Sequence, residues 1–444
     1  MINFYILPLI SLLFIYAESL PLSANTHPSI LESNRFNQRA LAGTRGRFLH
    51  VTDIHLDTLY LAHSDPKQLC HRMSKKKKDN IAGIFGALGT KCDSPMTLVE
   101  ASFDFIKKSL SDVDFVFYTG DTARHERDVL IPRSEKEILE EHTTVIKYFK
   151  DICDIHNIPF IPVVGNNDMV VHNDMPANDP IFGMLKTIWS PFNLNLGPSF
   201  DKGGYFVQDI IPGKLQAMVV NSMYFFNKNI QKEDCDVPNS PGEVHIAWMK
   251  QVLKNARTQH KMTYVLGHIP TNDDDGSIIF KPACHKMYID VLGTYSDLIA
   301  GHFTGHTNSD ALTAIVKKGS EYSAVAAFDK NNSTELTAKS SQIVSVLFNA
   351  PSIIPVHNPA MRVYMYDNAG IKNPIGTILD WTQYYADIKT ANRKGKLEYK
   401  VEYQASHLFG VKTFNSAGFS KVFLKLESDK SIRKDYKNYM LVEP

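Results

Sequence analysis

A polar cluster closes each of five apolar runs in this chain, and that repetition restricts the fold more than any other feature. Phe48-Leu49-His50-Val51 runs into Thr52-Asp53-Ile54-His55. Val113 to Tyr118 leads to Gly120-Asp121-Thr122-Ala123-Arg124-His125, and Pro159 to Val164 leads to Gly165-Asn166-Asn167-Asp168. Met262 to Leu266 ends in Gly267-His268, and Gly305-His306-Thr307-Asn308 closes a later strand. Leu215 to Val220 reads as another buried strand. Helical periodicity falls between these runs, over Leu98 to Leu110, Ser134 to His156 and Val244 to His260. Strand, helix, strand, helix, strand and then more strands predict an α/β domain built on mixed sheet. Ligands of such sheets bind beyond the carboxyl ends of the strands, so the clusters converge on one edge of the fold.

The residue types at that edge suit a metal. Asp53 and His55 are two apart, so an extended chain points both to one side. Glycines before Asp121, Asn166, His268 and His306 permit tight turns at the strand ends. Carboxylate, amide oxygen and imidazole together suit Mn, Fe, Zn, Co or Mg. One shared carboxylate can hold two cations close together, which fits in-line attack on phosphorus. Each fragment alone is weak, because a lone strand-end histidine is usually a satisfied structural residue; the ordered set carries the reading.

That order, Asp-x-His, Gly-Asp, Gly-Asn, Gly-His, Gly-His-x-x, resembles the calcineurin-like metallophosphoesterases, which are sandwiches of mixed β-sheets flanked by helices. GDTARH, GHIP and GHTNSD are similar to the acid sphingomyelinase-related branch. GRFLHVTDIHLD, DSPMTLV, VVGNND, NSMYFFN, GHFTGHTN and NAPSIIPVHNPAMRVY resemble the fungal endopolyphosphatases. The likeness covers about residues 45 to 385. It implies one metal on Asp53 and His55, a bridging Asp121, and a second metal on Asn166, His268 and His306. Most of the superfamily has Gly-His-x-His in the last motif; here Asn308 takes the second histidine's place, as in the endopolyphosphatases. An amide is the harder and weaker donor, so the first metal is expected to bind loosely and favour Mn or Mg. His302 stands four residues before His306 and is open to three readings: a compensating ligand, a support for one, or a packed strand histidine.

Many relatives follow the Gly-Asn motif with a histidine that contacts the reacting phosphate; here Asn167 stands there, able to donate a hydrogen bond but not a proton. His125 is then the expected proton donor to the leaving group, and Arg124 a phosphate clamp. The implied activity is hydrolysis of phosphoanhydride bonds within inorganic polyphosphate, by a hydroxide held at a two-metal centre. The alternatives are a sphingomyelinase-like phosphodiesterase acting on a lipid or nucleotide, and a polyphosphate-binding protein with a decayed metal site. The basic stretch Lys67, His71, Arg72 and Lys75 to Lys78 either guides a polyanion or is a solvated loop. With a net charge of +1, no whole-molecule field draws nucleic acid. Oligomeric state is left open.

Ile2 to Ala17 is almost continuously apolar but short against the roughly 20 residues a membrane-spanning helix needs. Ala17-Glu18-Ser19 suits cleavage, while a basic n-region is missing. Residues 1–19 are therefore a signal peptide or a short signal anchor, the latter giving membrane association. Either leads to the secretory pathway, and the resemblance points to the vacuole, with secretion as the alternative. Residues 20–44 read as a linker or propeptide, 45–367 as the phosphoesterase domain, and 368–444 as a C-terminal extension packed on it. Five cysteines in an oxidising compartment predict two bridges and one free thiol, with Cys153 in an apolar helix the free one. The sphingomyelinase-related branch implies Cys70–Cys92 and Cys235–Cys284. Asn331 and Asn332 each begin a glycosylation sequon.

Overall fold

The computed structural model describes Met1 and residues 44–110, 112–156, 158–328 and 342–443. The apolar leader, most of the linker and the Asn331 and Asn332 sequons lie outside the described residues. Among those described, no helix is long and apolar enough to cross a membrane.

Two mixed sheets face each other. The first comprises β1 (Arg45–Val51), β2 (Phe115–Tyr118), β3 (Phe160–Pro162), β11 (Ala360–Asp367), β12 (Ile378–Ala386) and β13 (Tyr399–Gln404), in the order β13-β12-β11-β1-β2-β3. The second comprises β4 (Phe206–Ile211), β5 (Leu215–Val219), β6 (Met262–Leu266), β7 (Ile299–Thr304), β8 (Ala311–Lys318), β9 (Glu321–Ala326) and β10 (Gln342–Asn349), in the order β4-β5-β6-β7-β10-β8-β9. The centre of each sheet is parallel: β1 with β2 and β3, β5 with β6 and β7. Parallel strands are covered on both faces, which is why β2 is apolar along its whole length and wholly buried.

Aromatic rings fill the space between the sheets. Phe48 stacks on Phe115 and Tyr364 of its own sheet at 4.9 Å and meets Tyr264 and Phe303 of the other at 5.6 and 5.3 Å. Each such ring removes a large apolar area from water, worth about 1.5–3 kcal/mol. That packing fixes where the strands of one sheet end relative to those of the other.

Helices Met96–Ser109, Glu135–His156 and Pro241–Thr258 occupy the expected stretches. The last begins three residues before Val244, because Ser240 accepts from the Glu243 N–H and caps it, with Pro241 in the first turn. Residues beyond Asp367 add β12 and β13 to the first sheet, by antiparallel pairing on β11 and then on β12. Helices Ser416–Ser428 and Lys430–Met440 follow. Cys70–Cys92 and Cys235–Cys284 are bridged, and Cys153 is free and buried.

Candidate metal centre

The strand ends of β1, β2 and β3 meet those of β6 and β7 at one end of the sandwich. Backbone bonds close the seam: Asp53 N–H donates to Gly120 O at 3.0 Å, His55 N–H to Asp121 O at 3.1 Å, and Gly305 N–H to His268 O at 2.9 Å. Asp168 organises two of the loops by accepting from the N–H groups of Asp121, Thr122 and Gly165. Glycine matters here mainly for space. A β-carbon on Gly165 would stand 2.3 Å from the Asp121 nitrogen, and one on Gly305 would stand 2.0 Å from Thr52 Oγ1. The expected tight-turn role is thus replaced, at these two positions, by close approach of one loop to another.

Asp53, His55, Asp121, His268, Asn166 and Asn167 are buried, with His306 and Asn308 at the cavity wall. Asp121 Oδ2 is the shared point. It lies 3.4 Å from His55 Nε2 and 3.2 Å from His268 Nε2. Asp53 Oδ1 lies 3.5 Å from His55 Nε2 on one side. Asn166 Oδ1 lies 2.9 Å from His268 Nε2 and 2.8 Å from His306 Nδ1 on the other.

These residues fit a divalent cation. His55 donates from Nδ1 to Ala123 O at 3.0 Å and His268 from Nδ1 to Thr119 O at 2.7 Å, which leaves both Nε2 lone pairs aimed at carboxylates. Asp53 Oδ1 and Asn308 Oδ1 are buried with no hydrogen-bond partner. Burial disfavours an imidazolium at His268, yet the Asp121 carboxylate overrides it and lifts the pKa to about 9: the field here stabilises positive charge. Five of the expected ligands also sit in left-handed backbone, at φ 50° for Asp53, 45° for His55, 58° for Asp121, 74° for His306 and 61° for Asn308. Such strain in non-glycine residues persists where a site over-determines it.

His125 joins this group by stacking on His55 at 4.1 Å. Its Nδ1 and its backbone N–H both bond the Asp93 carboxylate at 2.7 Å. Burial pushes His125 down to about 4 against the opposing pull of Asp93, and the Asp93 bond at Nδ1 leaves Nε2 as the ring nitrogen free toward the cavity.

One expectation needs correction, and one open reading is decided. Arg124 is buried and turned away from the cavity: its Nε and Nη2 bond Glu137, and Nη2 also reaches Ile131 O at 3.0 Å, so it clamps no phosphate. His302 is no ligand, since its Nε2 bonds Tyr288 Oη at 3.1 Å inside the second sheet's packing. Asn167 lines the cavity as expected and also donates from Nδ2 to Asp121 Oδ2 at 2.7 Å.

The cavity over the centre holds about 310 Å³ and is lined also by Arg127, His172 and Lys228. None of these three stands out in the sequence, and Asp93, though it opens DSPMTLV, sits in no strand-end motif. Asp93 had one signal: it follows Cys92, whose bridge fixes the loop.

A two-sheet sandwich whose facing strand ends present carboxylate, imidazole and amide donors around one shared aspartate defines a metallophosphoesterase. The chain belongs to the calcineurin-like phosphoesterase family, whose model matches residues 46–309. Residues 333–443 match the acid sphingomyelin phosphodiesterase C-terminal region. The family's chemistry implies divalent metal ions. The chain is 34% identical to an endopolyphosphatase of Neurospora crassa over 275 residues, 60% of this chain and 37% of the relative. It is 31% identical to one from Cryptococcus neoformans, over 66% of this chain and 47% of the relative. A human cyclic GMP-AMP phosphodiesterase is 27% identical over 89% of this chain and 83% of its own length. The matches to those two fungal relatives thus span less than half of each.

Proposed function

We propose that this protein is an endopolyphosphatase: a two-metal hydrolase that cuts phosphoanhydride bonds within inorganic polyphosphate. The observation that carries it is the sharing of Asp121 Oδ2 between the His55 and His268 groups, read with the likeness to fungal endopolyphosphatases. Asp53, His55 and Asn308 would hold one ion and Asn166, His268 and His306 the other, with Asp121 between them. Bound divalent ions would supply charge neutralisation and an activated water. Asn167 holds the shared carboxylate in place from Nδ2.

Leaving-group chemistry favours the anhydride. A departing phosphate chain end is stable as an anion, whereas an alkoxide needs a proton. Asn167 has no proton to give where many relatives place a histidine, so the site suits the leaving group that needs a proton least.

The human relative's coverage favours a second reading, hydrolysis of a phosphodiester. Two disulfides support an oxidising compartment, and with it the secretory and vacuolar assignment. One experiment separates the readings: product lengths and kcat/KM on long polyphosphate, beside kcat/KM on a nitrophenyl phosphodiester, cyclic GMP-AMP and sphingomyelin, all with Mn at one pH. Shortening of polyphosphate at the highest kcat/KM is expected. Intact polyphosphate beside a cleaved diester would replace the proposal with the second reading.

A further inference from the structure

The donor groups form a row, and the row has a cation at each end. From one end, Arg127 Nη1 lies 3.6 Å from Asp93 Oδ1, which bonds His125, which stacks on His55. The row continues through Asp121 to His268 and on to His306, whose Nδ1 is 3.3 Å from His268 Nε2. At the far end the Phe226 ring meets His306 edge to face at 5.1 Å, and Lys228 Nζ lies 6.0 Å from the centre of that same ring. Both cations are exposed and both line the cavity.

From this we infer that Lys228 and Arg127 form two anion subsites, one beyond each end of the donor row, across which a linear polyphosphate lies with chain on both sides of the cut. The inference rests on the polyphosphate reading and deepens it. A cavity of about 310 Å³ holds only a few phosphate groups, so most of a long chain lies outside it and its rims meet the emerging ends. Charge at a rim is felt by every long chain and hardly by a small ester. The two ends differ in strength. Lys228 makes no ion pair among the described residues, so its full charge is available. Arg127 is partly offset by Asp93, shares its rim with Glu126, and is held in place by Lys91 O at 3.2 Å. Lys228 is therefore the dominant subsite and Arg127 the weaker, better-ordered one. The lysine run of the Cys70–Cys92 loop contributes no residue to this cavity.

Lys228→Gln, Arg127→Gln, the double variant and Lys228→Glu test this, each first checked for unchanged metal content. KM for long polyphosphate should rise about fivefold in Lys228→Gln and about twofold in Arg127→Gln, more in the double variant and most in Lys228→Glu, as expected for exposed charge pairs. KM for a nitrophenyl phosphodiester should rise much less, and the variants' KM for polyphosphate should depend less on salt. Early products of the wild type should be internal fragments. Equal losses on both substrates, an unchanged KM, or release of single phosphates alone would overturn the inference while leaving polyphosphate hydrolysis standing. A wild type that does not cut polyphosphate would overturn both, and that outcome is visible before any variant is made.

Discussion

The Asp93 carboxylate holds His125 twice, at Nδ1 and at the backbone N–H, both at 2.7 Å. The pair fixes which imidazole nitrogen faces the cavity. Asp93→Asn should lower kcat on cyclic GMP-AMP, whose leaving group is a sugar alkoxide, about 10- to 100-fold, the usual cost of losing a partner that orients a site imidazole. Polyphosphate should suffer less, because its leaving group needs less help. Metal content and melting temperature should hold. Equal losses on the two substrates would make Asp93 merely structural.

The same carboxylate adjoins a bridge. Cys70–Cys92 closes a 22-residue separation, and such a loop is worth about 3 kcal/mol through the unfolded chain. The double substitution Cys70→Ser, Cys92→Ser should lower the melting temperature and, by loosening Asp93, lower ester turnover below what heat inactivation accounts for. Turnover unchanged in the folded double variant would uncouple the bridge from His125.

Asn308 offers a buried amide oxygen with no partner. Asn308→His should tighten one metal and shift its preference from Mn toward Zn, about tenfold in affinity, because imidazole is the softer donor. Competition titration of Mn against Zn reads this directly. Unchanged selectivity would remove Asn308 from the ligand set.

Glu141 is buried beside Glu137, and burial first, then that neighbour, raises its carboxyl to about 9. A folded pKa above the unfolded value of 4.5 means the folded chain holds the proton longer. The contribution is therefore full below about pH 4.5 and is lost as pH rises toward 9. Glu141→Gln should flatten the fall in melting temperature across that window, by a few degrees at most in a chain of this size. A fall as steep as in the wild type would contradict the assignment.

That the polar clusters from Asp53 to His306 meet at one edge was legible because strand ends in an α/β fold are forced together; which of their residues face one another came only with the resemblance. Arg124 was misread for a local reason. Ala123 bridges Leu56 in extended chain, and neighbours in extended chain face opposite ways, so His125 and Arg124 could not both face the cavity. Arg127, Lys228 and His172 were illegible because nothing in a loop's sequence states which way it folds back. The strands after Asp367 were hidden because β12 mixes Trp381 and Tyr384 with Asp380 and Gln383, whose polar groups find buried partners.

Asp310, two residues past Asn308, ties the metal loop to the end of the chain. Its carboxylate receives Arg362 at 2.7 Å, Tyr436 at 3.0 Å and Tyr403, and its backbone N–H bonds Met440 O at 3.0 Å. Asp310 stands one residue past the segment that matches the phosphoesterase model, and all four of these partners lie in the segment that matches the C-terminal model. A chimera cut just after Asp310 and completed with a relative's C-terminal region would keep the aspartate without its arginine and tyrosines. Swapping would succeed only when the whole knot travels together, which makes this pair of segments a single unit of inheritance.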